Sequence, residues 1–224
     1  MRLPDILAPS TLPRDVEDRA TTRRRRGVVV LTMAVGAVLL GGTLAAPKGS
    51  GLFYGFGVLL AGTWLGGSLL SGPLPLGRGG GHADRGRQVA APLVVGAVLF
   101  LAFAGGAVVS RRIPILAGSV ESVLEAADAG PRGFVLALAL LNGVAEEVFF
   151  RGALHSAFGR HRPVVWSTAL YALVTVATLN LALVAAAVVM GVVFAAEREA
   201  TRGVLAPIVT HVTWSTLILL LLPR

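Results

Sequence analysis

The sequence predicts an all-α, polytopic transmembrane helical bundle with about seven spans. Of its 224 residues, 54% are hydrophobic and only 14% are charged, whereas charged residues make up roughly 25% of a soluble domain. Apolar runs close to the ~20 residues that a helix needs to cross a bilayer recur along the chain. These runs are continuously apolar, so they lack the alternation that is typical of a membrane β-barrel.

The amino-terminal segment, residues 1–26, is predicted to be a cytoplasmic basic tail. It ends in four consecutive arginines at 23–26, directly before the first apolar run, and such a cluster favours the cytoplasmic side of a membrane. The net charge of +8 is therefore interpreted as topology signals in inner loops, with anionic membrane lipids as partners. Nucleic-acid binding is excluded because no basic patch on a folded face is predicted.

Residues 27–224 form the predicted transmembrane domain. The chain has no cysteine, which excludes disulfides and a thiol nucleophile. Gly62 and Gly66 have the small-xxx-small spacing that lets helices approach closely; packing within the chain is favoured over dimerisation, and the oligomeric state stays open. The predicted spans are 27–46, 52–70, 89–110, 133–150, 164–179, 181–196 and 204–222.

The segment between the third and fourth spans predicts a short amphipathic helix on the outer membrane surface. Ser119 is a candidate helix cap, with Glu121 in the first turn. Four apolar residues fall on one side at helical spacing: Val120, Val123, Leu124 and Ala127.

Two adjacent acids, Glu146 and Glu147, lie near the end of the fourth predicted span. An ionisable residue at membrane depth is costly and indicates a functional site. Glu147 and Arg151 are i,i+4 neighbours that can form an ion pair. Glu146 points about 100° away around the helix and shares a face with Asn142. We interpret Glu147 as a support held by Arg151 and Glu146 as the working acid or base, near the cytosolic face; the alternative is an ion-pair network without chemistry.

The last predicted span carries the one histidine expected at a comparable depth, His211, with Ser215 four residues later on the same face. This pair could stabilise an oxyanion beside a general base. A buried histidine bonded to a carbonyl or hydroxyl is the alternative. His155 extends the Glu147–Arg151 face by one turn, but we expect it to be solvated at the membrane surface.

The pattern Glu146-Glu147-x-x-x-Arg151, followed by a late transmembrane histidine, resembles the CPBP family of intramembrane proteases, also called Abi or CAAX-protease-like. The resemblance covers about 131–222, the predicted protease-like core. Its second motif, aromatic-x-x-x-His, falls on Tyr171 to Thr175, with Thr175 in place of the histidine. Its third motif, His-x-x-x-Asn/Asp, falls on His211 to Ser215.

By resemblance, Glu146 and the second-motif position activate the water, while His211 and Ser215 hold the oxyanion. The resemblance implies hydrolysis of a peptide bond in a membrane-embedded or lipid-linked substrate. Zinc stays open, because the family is described both as metalloprotease and as glutamate-type protease and a Glu, His and Ser set is a poor zinc site.

Composition and topology indicate the plasma membrane of a bacterium as the location. Two alternatives remain: a catalytically impaired member of the same fold that binds a membrane peptide, and a small transporter with an intramembrane proton site.

Overall fold

The computed structural model describes residues 19–75, 82–158 and 161–222, and these residues form a bundle of helices. Most of the predicted tail, 1–18, and the centre of the glycine-rich loop, 76–81, lie outside them. A π-helical segment, Val148–Leu154, follows the helix that ends at Glu147, and a 3₁₀ turn, Val176–Thr178, follows the helix that ends at Thr175. The helices are α1 (Arg19–Ala45), α2 (Gly51–Ser71), α3 (His82–Ser110), α4 (Pro114–Ala127), α5 (Arg132–Glu147), α6 (His155–Phe158), α7 (Pro163–Thr175), α8 (Leu181–Thr201) and α9 (Leu205–Leu221).

Among the described residues, five helices are long and apolar enough to cross a membrane: Ala20–Ala45, Gly51–Ser71, Val89–Ser110, Arg132–Phe158 and Leu181–Thr201. Two further apolar helices, Pro163–Thr178 and Leu205–Leu221, are shorter. The predicted class, an all-α membrane bundle that crosses the bilayer several times, is confirmed. The number of seven spans and the cytoplasmic amino terminus stay predictions.

The arginine run lies within α1, because this helix begins at Arg19 rather than after the run. Three of its guanidinium groups bind backbone carbonyls at or just after the ends of other helices: Arg24 binds Leu70, Arg25 binds Pro73 and Arg26 binds Ala157. The last carbonyls of a helix have no partner within that helix. The arginine run, which the sequence analysis interprets as a topology signal, therefore also forms hydrogen bonds with carbonyl groups at the ends of α2 and α6.

The helix that carries the acidic pair is longer than predicted. It continues without a break from Arg132 to Phe158, whereas its predicted end was residue 150. Glu147 is eleven residues before Phe158, which corresponds to about 16 Å along a helix. The prediction that the pair lies near the end of its helix was therefore wrong, because the polar residues that follow it continue the helix.

The glycines that bring helices together are not the predicted ones. No described atom lies within 4 Å of a Cβ built on Gly62 or Gly66, so these two do not pack within the chain and that prediction was wrong. Gly57 makes a close contact instead, since its Cβ would lie 3.0 Å from Leu138 on α5. Gly67 likewise faces Thr32 on α1, which lets α1, α2 and α5 approach one another.

An aromatic cluster anchors the π-helical segment in the core. The ring of Trp64 on α2 stacks on Phe149, with centroids 4.8 Å apart. Phe150 packs against Tyr171 on α7 at 4.6 Å. Both phenylalanines are fully buried. Burial of such large rings contributes strongly to packing, and it fixes the residues directly after the acidic pair relative to α2 and α7.

Candidate functional site

Glu147 is the centre of a buried charged cluster. Its Oε1 accepts a hydrogen bond from Nη1 of Arg151 at 3.2 Å and another from Nδ1 of His211 at 2.9 Å. The exposed fractions of the Glu147 and Arg151 side chains are 0% and 1%. The predicted ion pair within the helix is confirmed. The bond to His211 was not predicted, because it depends on how α5 packs against α9.

The backbone around this cluster leaves the regular α-helical pattern. Glu147 is the last residue of α5, and Arg151 lies in the π-helical segment that follows. Such segments are rare and often occur at functional sites. Nε of Arg198 on α8 donates to the carbonyl oxygen of Arg151 at 3.0 Å, so the segment is also tied to a neighbouring helix.

Aromatic rings surround the Arg151 guanidinium. The guanidinium carbon lies 4.7 Å from the ring centroid of Tyr171 and 5.1 Å from that of Phe194. Cation–π attraction is strongest where water is excluded. The carboxylate of Glu147 and these rings together offset the cost of burying the positive charge.

Glu146 occupies a different face of the helix and lies at the wall of a cavity. It is half-buried, and its Oε2 accepts a hydrogen bond from the Tyr171 hydroxyl at 2.8 Å. Asn142, one turn earlier, lines the same cavity. The prediction that Glu146 and Asn142 share a face is confirmed. The contact with Tyr171 was missed, because this residue had been considered only as the aromatic position of the second motif.

His211 is held in one orientation by its neighbours. Its ring stacks on Phe194, with centroids 5.1 Å apart. A carboxylate can only accept a hydrogen bond, so Nδ1 of His211 carries the proton in its bond to Glu147. Nε2 is therefore the nitrogen that is left for chemistry. Gly143 makes room for the ring, because a Cβ at this position would lie 3.3 Å from Cδ2 of His211.

We expect Gly143→Val to lower the free energy of unfolding by about 1–3 kcal/mol, because the added methyl groups must displace the His211 ring. Thermal unfolding of the purified protein in detergent measures this loss. Gly62→Val is the matched control, since no described atom lies near a Cβ at that position. Equal melting temperatures for the two variants would contradict the expected contact.

The two remaining predicted site residues differ in their surroundings. Ser215 on α9 lines the same cavity as Glu146. Thr175 is buried, and its hydroxyl donates to the carbonyl oxygen of Tyr171 at 2.9 Å. Neither Thr175 nor His211 is among the residues that line the cavity. The structure thus brings Glu146, Glu147, Arg151 and His211 into one region, while the hydroxyl of Thr175 is bonded to its own helix.

His155 is buried, so the prediction of a solvated residue was wrong. Its side chain is 2% exposed, and its Nε2 lies 2.6 Å from Oε1 of Glu199 on α8. The helix continues past residue 150 and α8 packs against it. His155, which was expected to be solvated at the membrane surface, is therefore covered by α8.

The cavity has a volume of about 600 Å³ and a mostly apolar wall. Asn142, Glu146 and Ser215 supply polar groups to it. The predicted apolar face of α4, including Val120 and Leu124, lines the cavity as well. The amphipathic helix is confirmed, but it starts at Pro114 and not at Ser119. Its apolar face lines the cavity, a contact that the prediction of a surface helix did not include.

The donor set does not fit zinc. In the described parts of the chain, no group of three or more histidine, aspartate or glutamate side chains could hold a metal ion. A zinc site needs about three protein ligands. Glu147 and His211 come closest, but Oε1 of Glu147 is bonded to Arg151 and to Nδ1 of the histidine itself.

Comparison with known families identifies a match in the second half of the chain. Residues 129–217 match the family described as type II CAAX prenyl endopeptidase Rce1-like. The match covers less than half of the chain and includes the helices that carry the acidic pair, Tyr171 and His211. It confirms the resemblance to CAAX-protease-like proteins. No curated protein and no solved structure matches the chain.

Proposed function

From this family match, we propose that the protein is a CAAX-protease-like intramembrane endopeptidase. It hydrolyses a peptide bond of a membrane-embedded or lipid-linked substrate, and it resides in the plasma membrane of a bacterium with its amino terminus in the cytoplasm. The observation that carries the proposal is the position of Glu146. This carboxylate lies at the wall of an apolar cavity, with one oxygen held by Tyr171.

Glu146 acts as the general base in the proposed reaction. It takes a proton from a water molecule, whose oxygen attacks the carbonyl carbon of the scissile peptide bond. Glu146 then gives the proton to the peptide nitrogen as the carbon–nitrogen bond breaks. The products are a carboxylic acid and an amine, and the glutamate returns to its starting charge.

His211 and Ser215 stabilise the negative oxygen of the tetrahedral intermediate. With Nδ1 bonded to Glu147, a proton on Nε2 of His211 points away from that carboxylate and can be donated. Glu147 stabilises the imidazolium ring, as the aspartate does in a serine-protease triad. Arg151 balances the charge of Glu147 when the ring is neutral. Donors fixed in this way before the reaction stabilise the developing charge.

The apolar wall of the cavity fits an apolar part of the substrate. A cavity of about 600 Å³ is within the range of ordinary ligand sites. Thr175 supports the packing of α7 in this proposal, since its hydroxyl is bonded to the helix backbone. The transporter alternative has no separate observation in its favour.

We expect the protein in lipid vesicles to cleave a farnesylated CAAX peptide, detected by mass spectrometry of the products. We further expect the rate to stay within about twofold after treatment with 1,10-phenanthroline, because the donor set lacks the roughly three ligands that zinc needs. Loss of cleavage with the chelator and recovery with added zinc would contradict the metal-independent mechanism. Two negative results together would favour the peptide-binding alternative. The first is that the peptide is not cleaved, and the second is that no membrane protein is cleaved in wild-type cells that stays intact in knockout cells.

A further inference from the structure

Helix α7 presents two hydroxyl groups four residues apart, and only one of them reaches the acidic pair. The hydroxyl of Thr175 donates to the backbone carbonyl of Tyr171 at 2.9 Å. The hydroxyl of Tyr171 crosses to α5 and donates to Oε2 of Glu146 at 2.8 Å. The hydrogen bond from α7 to Glu146 is therefore made by the aromatic position of the second motif, and not by the position four residues later.

Tyr171 is itself held in a fixed position. Its ring lies 4.6 Å from that of Phe150, and the guanidinium carbon of Arg151 lies 4.7 Å from the centre of its ring. The residue is 9% exposed. A ring that is packed against Phe150 and Arg151 keeps its hydroxyl in one place, which is what a side chain needs to orient another group.

We infer that Tyr171 is a positioning residue for Glu146, so that the second motif of this chain acts on the carboxylate through its aromatic residue. With Oε2 of Glu146 held by the phenol, Oε1 is the oxygen that we assign to the water. A general base works only within hydrogen-bond reach of the proton it abstracts, so a carboxylate held in one orientation is more effective than one free to rotate. The inference rests on the proposed endopeptidase function.

The role is one of positioning, because the contact that the phenol makes is with the carboxylate. Its O–H group is a donor, and Glu146 is the acceptor in the observed contact. The hydroxyl is thus a feature that the sequence pattern does not require, since any aromatic residue fulfils the second motif at this position.

The first test is the kinetics of Tyr171→Phe in lipid vesicles with the farnesylated CAAX peptide. This change keeps the ring and its contacts with Phe150 and Arg151 and removes only the hydroxyl. We expect kcat to fall about 10- to 100-fold, as a misplaced catalytic group would cause, while KM changes by less than about twofold. Ser167→Ala, which removes another buried hydroxyl of α7, serves as the matched control and retains the parent kcat. An unchanged kcat in Tyr171→Phe would overturn the inference, as would an equal loss in Thr175→Val alone.

A second measurement does not require activity. Tyr171→Phe is expected to lower the melting temperature by about 2–4 °C. The same change in a Glu146→Leu background should have less than half of this effect, because the acceptor is already gone. Equal shifts in the two backgrounds would show that the hydroxyl does not hold Glu146 and would overturn the inference. Absence of peptide cleavage by the parent protein would instead overturn the proposed function, and the paired melting temperatures would still decide the contact.

Discussion

Arg151→Leu is expected to lower the free energy of unfolding by about 3–5 kcal/mol, because it leaves the carboxylate of Glu147 buried without its cationic partner. Glu147 has no exposed surface, and its second oxygen, Oε2, has no hydrogen-bond partner among the described residues. The change also removes the guanidinium from the rings of Tyr171 and Phe194. Leucine restores part of the lost volume but none of the charge.

Unfolding by heat or denaturant in detergent micelles measures this loss. Arg112→Leu is the matched control, since Arg112 is an exposed arginine outside the buried cluster. Adding Glu147→Gln to Arg151→Leu should recover a part of the stability, because the uncompensated charge is then absent. Equal melting temperatures of Arg151→Leu and Arg112→Leu would show that the ion pair contributes little to the stability of the fold.

Contacts within one helix could be predicted from the sequence. The bond between Glu147 and Arg151 and the shared face of Asn142 and Glu146 both follow from the period of 3.6 residues per turn. The apolar face of α4 follows from the same period. In each case the geometry depends on a single element, so the spacing of the residues is sufficient to fix it.

Contacts between helices could not be predicted in this way. The bonds from Glu147 to His211 and from Glu146 to Tyr171 depend on how α5 packs against α9 and α7. The burial of His155 depends on α8 in the same manner. Apolar runs specify that a helix crosses the bilayer, but in lipid small residues and polar contacts determine which faces meet, and Gly62 and Gly66 show that spacing alone does not identify them.

The two adjacent glutamates have different partners, and therefore different expected roles. Glu147 is fully enclosed by Arg151 and His211. Glu146 is half-buried at the cavity wall and is bonded to a neutral hydroxyl. A carboxylate that is paired with an arginine and also bonded to an imidazole is a poor base, because the arginine already compensates its charge. Substitution of Glu146 should therefore have the largest effect on cleavage. Substitution within the Glu147–Arg151 ion pair should have the largest effect on stability.

Glu146→Gln is expected to reduce the initial rate of peptide cleavage by about 10²- to 10⁴-fold, the usual contribution of a general base. Glutamine cannot take up a proton from water, but its carbonyl oxygen still accepts a hydrogen bond from Tyr171. The fold should therefore be retained, with a melting temperature within about 2 °C of the parent protein. Rates in lipid vesicles with the farnesylated CAAX peptide measure the first effect, and unfolding in detergent measures the second.

Glu125→Gln is the matched control for this experiment, since Glu125 is an exposed glutamate on α4 that does not line the cavity. Its rate should equal that of the parent protein. Glu147→Gln separates the two acids further: it loses the charge that compensates Arg151, so its melting temperature should fall together with its rate. Glu146→Gln that still cleaves at the parent rate would contradict the assignment of the base, because the structure offers Glu146 as the carboxylate at the cavity wall and encloses Glu147 in its ion pair.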